Sequence, residues 1–358
     1  MSIKLEDHAD ILGDLSEQSR NILNSSWHEA ARVFSPLGLE NYLQGAMSLK
    51  GLGRGCDLVA TYIQSAPAIA HEVGEDVIPD LVYNAMMMAS KTSGTVIELV
   101  LASAPTAAER LGDAELFRKY LQLLNVLLAQ APRGVRPMLE NLETLFANLT
   151  LGGLRRWANW GAHAHRTNYP EQIKYFSLQT KESLAILQQE RKGTLFVDVQ
   201  RRINMYLRAL WGRDFFMRPT SGDFEKREGY RPYIENYLMH LPDAFDDFVL
   251  PAAASSGDRS PLPLQGEGWD GGGSPGRVSG LELYRATAAH CAAHIVYTQQ
   301  PISAENLNPL QMAVIGVIED ARVERLTTNA FPGMRQLWSR LHTATPTQAA
   351  SLGDYLNR

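Results

Sequence analysis

From Ser16 to about Pro219 apolar residues recur every three or four positions, and short Gly and Pro punctuation interrupts them at intervals of 15 to 30 residues. The pattern predicts helix after helix. One stretch carries it clearly: Leu195, Phe196, Val199, Ile203, Tyr206, Leu207 and Leu210 line one side of a helix, with Gly193 before it and Gly212 after it. Ser65-Ala-Pro-Ala-Ile-Ala-His-Glu-Val-Gly-Glu-Asp also aligns with Ser103-Ala-Pro-Thr-Ala-Ala-Glu-Arg-Leu-Gly-Asp-Ala 38 residues later, and Ala131-Pro132 offers a third Ala-Pro. A period of about 40 belongs to two-helix solenoid repeats, in which one hairpin buries its apolar face against the next. The fold class expected is all-α, and the N-terminal region is either a solenoid or an irregular bundle.

The composition changes between Pro251 and Gly280, where 8 Gly, 4 Pro and 5 Ser fall within 30 residues. Such a segment buries too little apolar surface to offset its ordering entropy, so a linker or inserted loop is expected there. Beyond it the apolar pattern predicts two helices, Leu281 to Thr298 and Pro309 to Leu326, the second opened by a proline suited to a first turn. The expected organisation is therefore a helical-repeat domain over 1–220, a connector over 221–250, a linker over 251–280 and a second small helical unit over 281–345.

With 34 Lys and Arg against 39 Asp and Glu in 358 residues, the net charge of −5 argues against a general nucleic-acid binder. No apolar run approaches the roughly 18 residues of a membrane helix, and Met1 to Asp10 lacks a signal-peptide pattern, so a soluble cytoplasmic protein is expected. Cys56 and Cys291 are the only cysteines and form no Cys-x-x-Cys motif. Residues 155–218 depart from the overall balance, with 12 basic residues against 5 acids and ten interleaved aromatics. Arg155, Arg156, Arg201, Arg202 and Arg208 are the candidates for a protein-docking face there. A solvated surface and single-stranded nucleic acid are the alternatives.

Gly51-Leu-Gly-Arg-Gly-Cys56 lacks the Gly-Lys-Ser/Thr ending of a phosphate loop and reads as a turn between helices. Asp14-Leu-Ser-Glu-Gln-Ser19 falls short of the Asp-x-Ser-x-Ser of a metal-dependent adhesion site and reads as a helix N-cap. Tyr284 and His240 have no catalytic context and read as packing or surface residues. The sharpest chemistry is His290-Cys-Ala-Ala-His294, whose i, i+4 spacing sets both imidazoles on one helix face, as zinc hydrolases do. Ile318-Glu-Asp-Ala-Arg-Val-Glu324 on the next predicted helix brings Glu319 as a third candidate ligand. Cys291 stands where a metallopeptidase has its general base, which speaks against hydrolysis. The helix pair is thus either a degenerate zincin-like site holding a non-catalytic zinc on His290, His294 and Glu319, or a buried polar network of His290, His294, Glu319, Asp320 and Arg322.

Five blocks in order carry a resemblance: Leu149-Thr-Leu-Gly-Gly-Leu-Arg-Arg-Trp-Ala158, Arg213-Asp-Phe-Phe-Met-Arg-Pro-Thr-Ser-Gly222, His240-Leu-Pro-Asp-Ala-Phe-Asp-Asp247, Leu283-Tyr-Arg-Ala-Thr-Ala-Ala-His290 and Ile318-Glu-Asp-Ala-Arg-Val-Glu324. Together they resemble the N-terminal part of the CbbO/NorD family, over nearly the whole chain apart from the Gly/Pro/Ser segment. The resemblance implies a non-enzymatic adaptor of a MoxR-type AAA+ ATPase hexamer, CbbQ for CbbO and NorQ for NorD. It implies Rubisco blocked by inhibitory sugar phosphates as the client in the CbbO branch, which is favoured, and nitric oxide reductase in the NorD branch. Neither a membrane nor a nucleic acid is an expected partner. Family members carry a C-terminal von Willebrand factor A domain with a magnesium-dependent adhesion site; residues 346–358 are expected to begin the linker to it, and no cofactor beyond a non-catalytic zinc is expected within this chain. A degenerate zinc peptidase fused to a helical repeat is the reading from a different class.

Overall fold

The hydroxyl of Ser16 accepts the backbone N–H of Ser19 and opens α1 (Glu17–Val33), which sets the first helix of a long succession. It is followed by α2 (Pro36–Gly51), α3 (Cys56–Val73), α4 (Ile78–Ala89), α5 (Gly94–Leu111) and α6 (Ala114–Gln130). The computed structural model describes residues 5, 15–191, 193–220, 232–249, 277–298, 300 and 307–341. Fifteen α-helices occur among them, and the chain divides into two units at Arg191 and Lys192.

In the first unit the helices form two layers. α1 packs on α3 and α3 on α5, while α2 packs on α4 and α4 on α6. This is the stacking of helical hairpins that the echo implied. Ser65 on α3 and Ser103 on α5 each turn the hydroxyl back to the carbonyl four residues earlier, Thr61 and Leu99, at 2.8 Å. Each lies two residues before a helix-interior proline, Pro67 and Pro105. Proline has no N–H for the carbonyl four residues back. For Pro67 that carbonyl belongs to Ile63, and the buried Tyr42 hydroxyl donates to it at 2.8 Å. The third Ala-Pro does not continue the series, because Pro132 stands in the first turn of α7 (Pro132–Glu140) rather than inside a helix. The glycine-rich stretch after α2 is a turn, with Gly53 and Gly55 at φ of 63° and 108°.

The unit closes with α8 (Leu142–Asn148), α9 (Leu151–Ala164), α10 (Tyr169–Phe176) and α11 (Lys181–Glu190). Trp157 is fully buried, stacks on Tyr175 at 5.1 Å and donates through Nε1 to the Ser183 carbonyl at 3.2 Å. Gly161 lies so close to the Tyr175 ring that a Cβ there has no room.

The second unit begins with β1 (Thr194–Leu195) and α12 (Phe196–Trp211), which Gly212 ends in the left-handed conformation at φ 72°. Then come β2 (Phe216–Pro219), β3 (Tyr233–Glu235), β4 (Leu238–Leu241), β5 (Ala244–Phe245), β6 (Phe248–Val249) and β7 (Arg277–Val278). The sheet order is β2-β4-β3, with β2 parallel and β3 antiparallel to β4, Phe216 facing Leu238 and Tyr233 facing His240. β1 pairs with β5 and β6 with β7, both antiparallel. α13 (Gly280–Tyr297), α14 (Pro309–Ala330) and α15 (Gly333–Ser339) complete the unit. Its core joins Phe196, Val199, Ile203 and Leu207 of α12 to Met239, Leu241, Tyr284, Ala288, Cys291 and Trp338.

Two expectations are corrected. The first domain ends near residue 191 rather than 220, because α12 buries its apolar stripe against α13 and the strands of the second unit. Residues 233–249 are not a plain connector but strands, with Met239 and Leu241 buried on alternate positions of β4. Most of the expected linker, at 251–276, and all of 346–358 lie outside the described residues. Among the described residues no helix is long and apolar enough to cross a membrane.

Candidate metal centre

The two histidines are held by the way α13 begins. Ser279 and Glu282 form a reciprocal capping box, and Arg340 donates to the other Glu282 oxygen at 2.7 Å. One turn in, the fully buried Tyr284 hydroxyl donates to the Pro242 carbonyl at 2.7 Å. Ala286, Ala289 and Ala293 keep α13 slim, which suits close packing. α14 has its own capping box, Asn308 with Gln311, and Pro309 in the first turn. Its buried Val323 and Thr327 share a face with Asp320 and Glu324, the stripe that i, i+3, i+4, i+7 spacing produces.

The Nε2 atoms of His290 and His294 are 3.2 Å apart. Asp320 Oδ1 lies 3.0 Å from Nε2 of His294 and 3.5 Å from Nε2 of His290. The opposite ring nitrogens are engaged elsewhere: His290 Nδ1 meets Glu324 Oε1 at 3.1 Å and His294 Nδ1 meets Thr298 Oγ1 at 3.4 Å. Thr298 spends its own proton on Glu319 Oε1 at 2.6 Å, so its oxygen accepts from the His294 Nδ1–H. Arg322 grips both Glu319 oxygens, at 2.6 and 2.7 Å, and donates to the Tyr297 carbonyl at 3.0 Å. Solvent reaches the group, with about a quarter of each histidine side chain and half of Asp320 exposed.

The charges follow from these contacts. Burial opposes the charged form of His290, yet the hydrogen bonds and charges of Asp320 and Glu324 outweigh it and lift the imidazole to about 9. Burial would raise Asp320, but the two histidines hold it well below the usual carboxylate range. The Arg322 hydrogen bonds bring Glu319 down to about 2, and burial pushes the Cys291 thiol up to about 12.

His290 and His294 therefore meet as expected, but the carboxylate apposed to both is Asp320, and the expected ligand Glu319 is instead paired with Arg322 and Thr298. Neighbouring helical residues point about 100° apart, so Asp320 lies against the two histidines while Glu319 is turned to the C-terminal end of α13. The expected network of His290, His294, Glu319, Asp320 and Arg322 is joined by Glu324 and Thr298, which sequence reasoning left unassigned. The signal was present, because Asp320 and Glu324 repeat the i, i+4 spacing of the histidines. Cys291 packs into the core. His240 stacks on Tyr233 at 4.2 Å. The five arginines divide between the units, Arg155 and Arg156 on α9 and Arg201, Arg202 and Arg208 on α12. Arg156 pairs with Glu190 at 2.7 Å and Arg208 lies 3.6 Å from Asp214, while Arg201 and Arg202 are exposed. Of the interleaved aromatics, Trp157, Tyr175, Phe176, Phe196 and Phe215 are core residues.

Comparison of the chain with protein-family models, with curated proteins and with solved structures gives no match in any of the three.

Proposed function

We propose that this chain is a cytoplasmic, non-enzymatic adaptor of the CbbO/NorD type that works with a MoxR-type AAA+ ATPase hexamer. A CbbQ-like ring acting on inhibited Rubisco is preferred, and a NorQ-like ring acting on nitric oxide reductase is the alternative. The observation that carries the reading is the ordered run of five sequence blocks. Four of them fall within the second unit, at β2, at β4 and β5, on α13 and on α14. Two are tied directly, since Tyr284 of one donates to the Pro242 carbonyl of another. Arg201, Arg202 and Arg208 on the outer face of α12 supply cationic side chains for docking to an acidic partner.

The test is retention of the purified chain by immobilised CbbQ-like and NorQ-like hexamers, with and without inhibited Rubisco, and the change in ATP turnover. Binding to a CbbQ-like ring, weakened by salt and by Arg201→Glu with Arg202→Glu, is the expected result. Failure to bind any MoxR-type hexamer overturns the adaptor reading. A second reading, a degenerate zinc peptidase, is favoured by one observation, the convergence of His290, His294 and Asp320. Zinc binding by the chain together with no retention by any MoxR-type hexamer would favour it over the adaptor.

A further inference from the structure

Beyond the adaptor reading, and independent of it, we propose that His290 and His294 through Nε2 and Asp320 through Oδ1 bind a single zinc ion that clasps α13 to α14. The geometry makes the case. The Nδ1 atoms face Glu324 and Thr298, so both Nε2 atoms turn with the Asp320 carboxylate oxygen into one common space. Three atoms able to ligate a metal thus face one another at 3.0, 3.2 and 3.5 Å. Protons on the two Nε2 atoms can only be shared with Asp320, whereas a divalent cation replaces those protons and engages all three atoms at once.

The spacing and the donor types suit zinc. Zinc bonds of about 2.0–2.1 Å in a tetrahedron set ligand atoms about 3.3 Å apart, within the range of the three edges. Magnesium at about 2.0–2.1 Å in an octahedron needs edges of about 2.9 Å, shorter than all three, and imidazole is not its ligand of choice. The surroundings match a metal site as well: His290 has a carboxylate on its far nitrogen, and His294 has Thr298 backed by Glu319 and Arg322, which are the contacts that orient ligating histidines. Three protein ligands leave the fourth position to water on the solvent side. Cys291 is buried in the core of the unit and does not serve as a base on that water.

The whole chain is stripped with a chelator, titrated with zinc against a chromophoric competitor, and its bound metal counted after gel filtration. Binding of about one equivalent in the wild type is expected, and Glu319→Gln, which loosens Thr298 behind His294, should weaken it by about 10- to 100-fold without abolishing it. Asp320→Asn, His290→Ala and His294→Ala should each lose zinc, and Glu324→Gln should weaken it by about 10- to 100-fold through its hold on His290. Circular dichroism establishes that each variant is folded, and the wild-type titration decides alone where one is not. A folded wild type that takes up no zinc at micromolar free metal overturns the proposal. So does undiminished affinity in Asp320→Asn, a greater loss of zinc in Glu319→Gln than in Asp320→Asn, or preferential uptake of iron(II) from an equimolar mixture.

Discussion

Tyr284→Phe isolates the contact that anchors the histidine-bearing helix. The phenol is fully buried, and its O–H donates to the Pro242 carbonyl at 2.7 Å. Phenylalanine keeps the ring and its packing against Phe196 and Phe245, with centroids 5.8 and 4.6 Å away, so the cavity term is small. What changes is one hydrogen bond and one buried carbonyl left unmatched, a cost of about 1–3 kcal/mol. If α13 opens within its own unit, that loss raises the exchange rates of its amides by about 5- to 150-fold in native-state hydrogen exchange. A pH series tests the same hydroxyl. Burial, assisted by the charges of Asp243 and Asp198, raises the Tyr284 phenol well above its usual value. A folded-state value raised in this way contributes stability that is complete below the unfolded value of about 10 and lost as the pH rises beyond it. The gap between wild type and variant should therefore narrow above about pH 10. Exchange of the α13 amides within twofold of wild type at neutral pH would refute the reasoning.

Three further outcomes follow from the same structure. Gly161→Ala drives a methyl into the Tyr175 ring, so melting should show a loss of about 1–3 kcal/mol despite the better helix propensity of alanine, and a stabilised protein would contradict the packing described. Glu282→Ala breaks the capping box of α13 and the Arg340 pair, costing about 0.5–2 kcal/mol in urea unfolding near neutral pH. Burial works against the Glu282 charge, but its bonds to Ser279 and Arg340 prevail and lower its proton affinity, so its contribution is present above about pH 4.3 and fades as pH falls; a wild-type advantage that persists unchanged in acid would count against it. Tyr42→Phe strands the Ile63 carbonyl released by Pro67 and should loosen α3 by about 1–3 kcal/mol, read by hydrogen exchange of that helix.

The helices were legible where periodicity was long and the ends were marked. The stripe from Phe196 to Leu207, the stop at Gly212, and the openings at Gly280 and Pro309 sit within a residue of where the pattern puts them. The strands were not, because two to four residues cannot display a period of two above the noise of ordinary composition. The unit boundary was hidden for another reason. An amphipathic stripe states that α12 is buried on one side and is silent on which partner covers it, and here the partners are Tyr284 and Met239, from far along the chain.

The site shows where pattern reading stops and helical phase takes over. His290 and His294 announce a face by their own spacing, but the adjacent acids Glu319 and Asp320 are equally plausible partners until the rotation of α14 is known. That rotation is written in residues with no chemistry. Val323 and Thr327 are buried completely, and the buried stripe they define runs alongside Asp320 and Glu324, which fixes both acids toward α13 and turns Glu319 toward Thr298 and Arg322. Glu319, held low by its arginine, can then orient Thr298 without competing for the histidines. The contact with both histidines and the bonds that support it thus come from two acids one residue apart, separated in role by about 100° of helix.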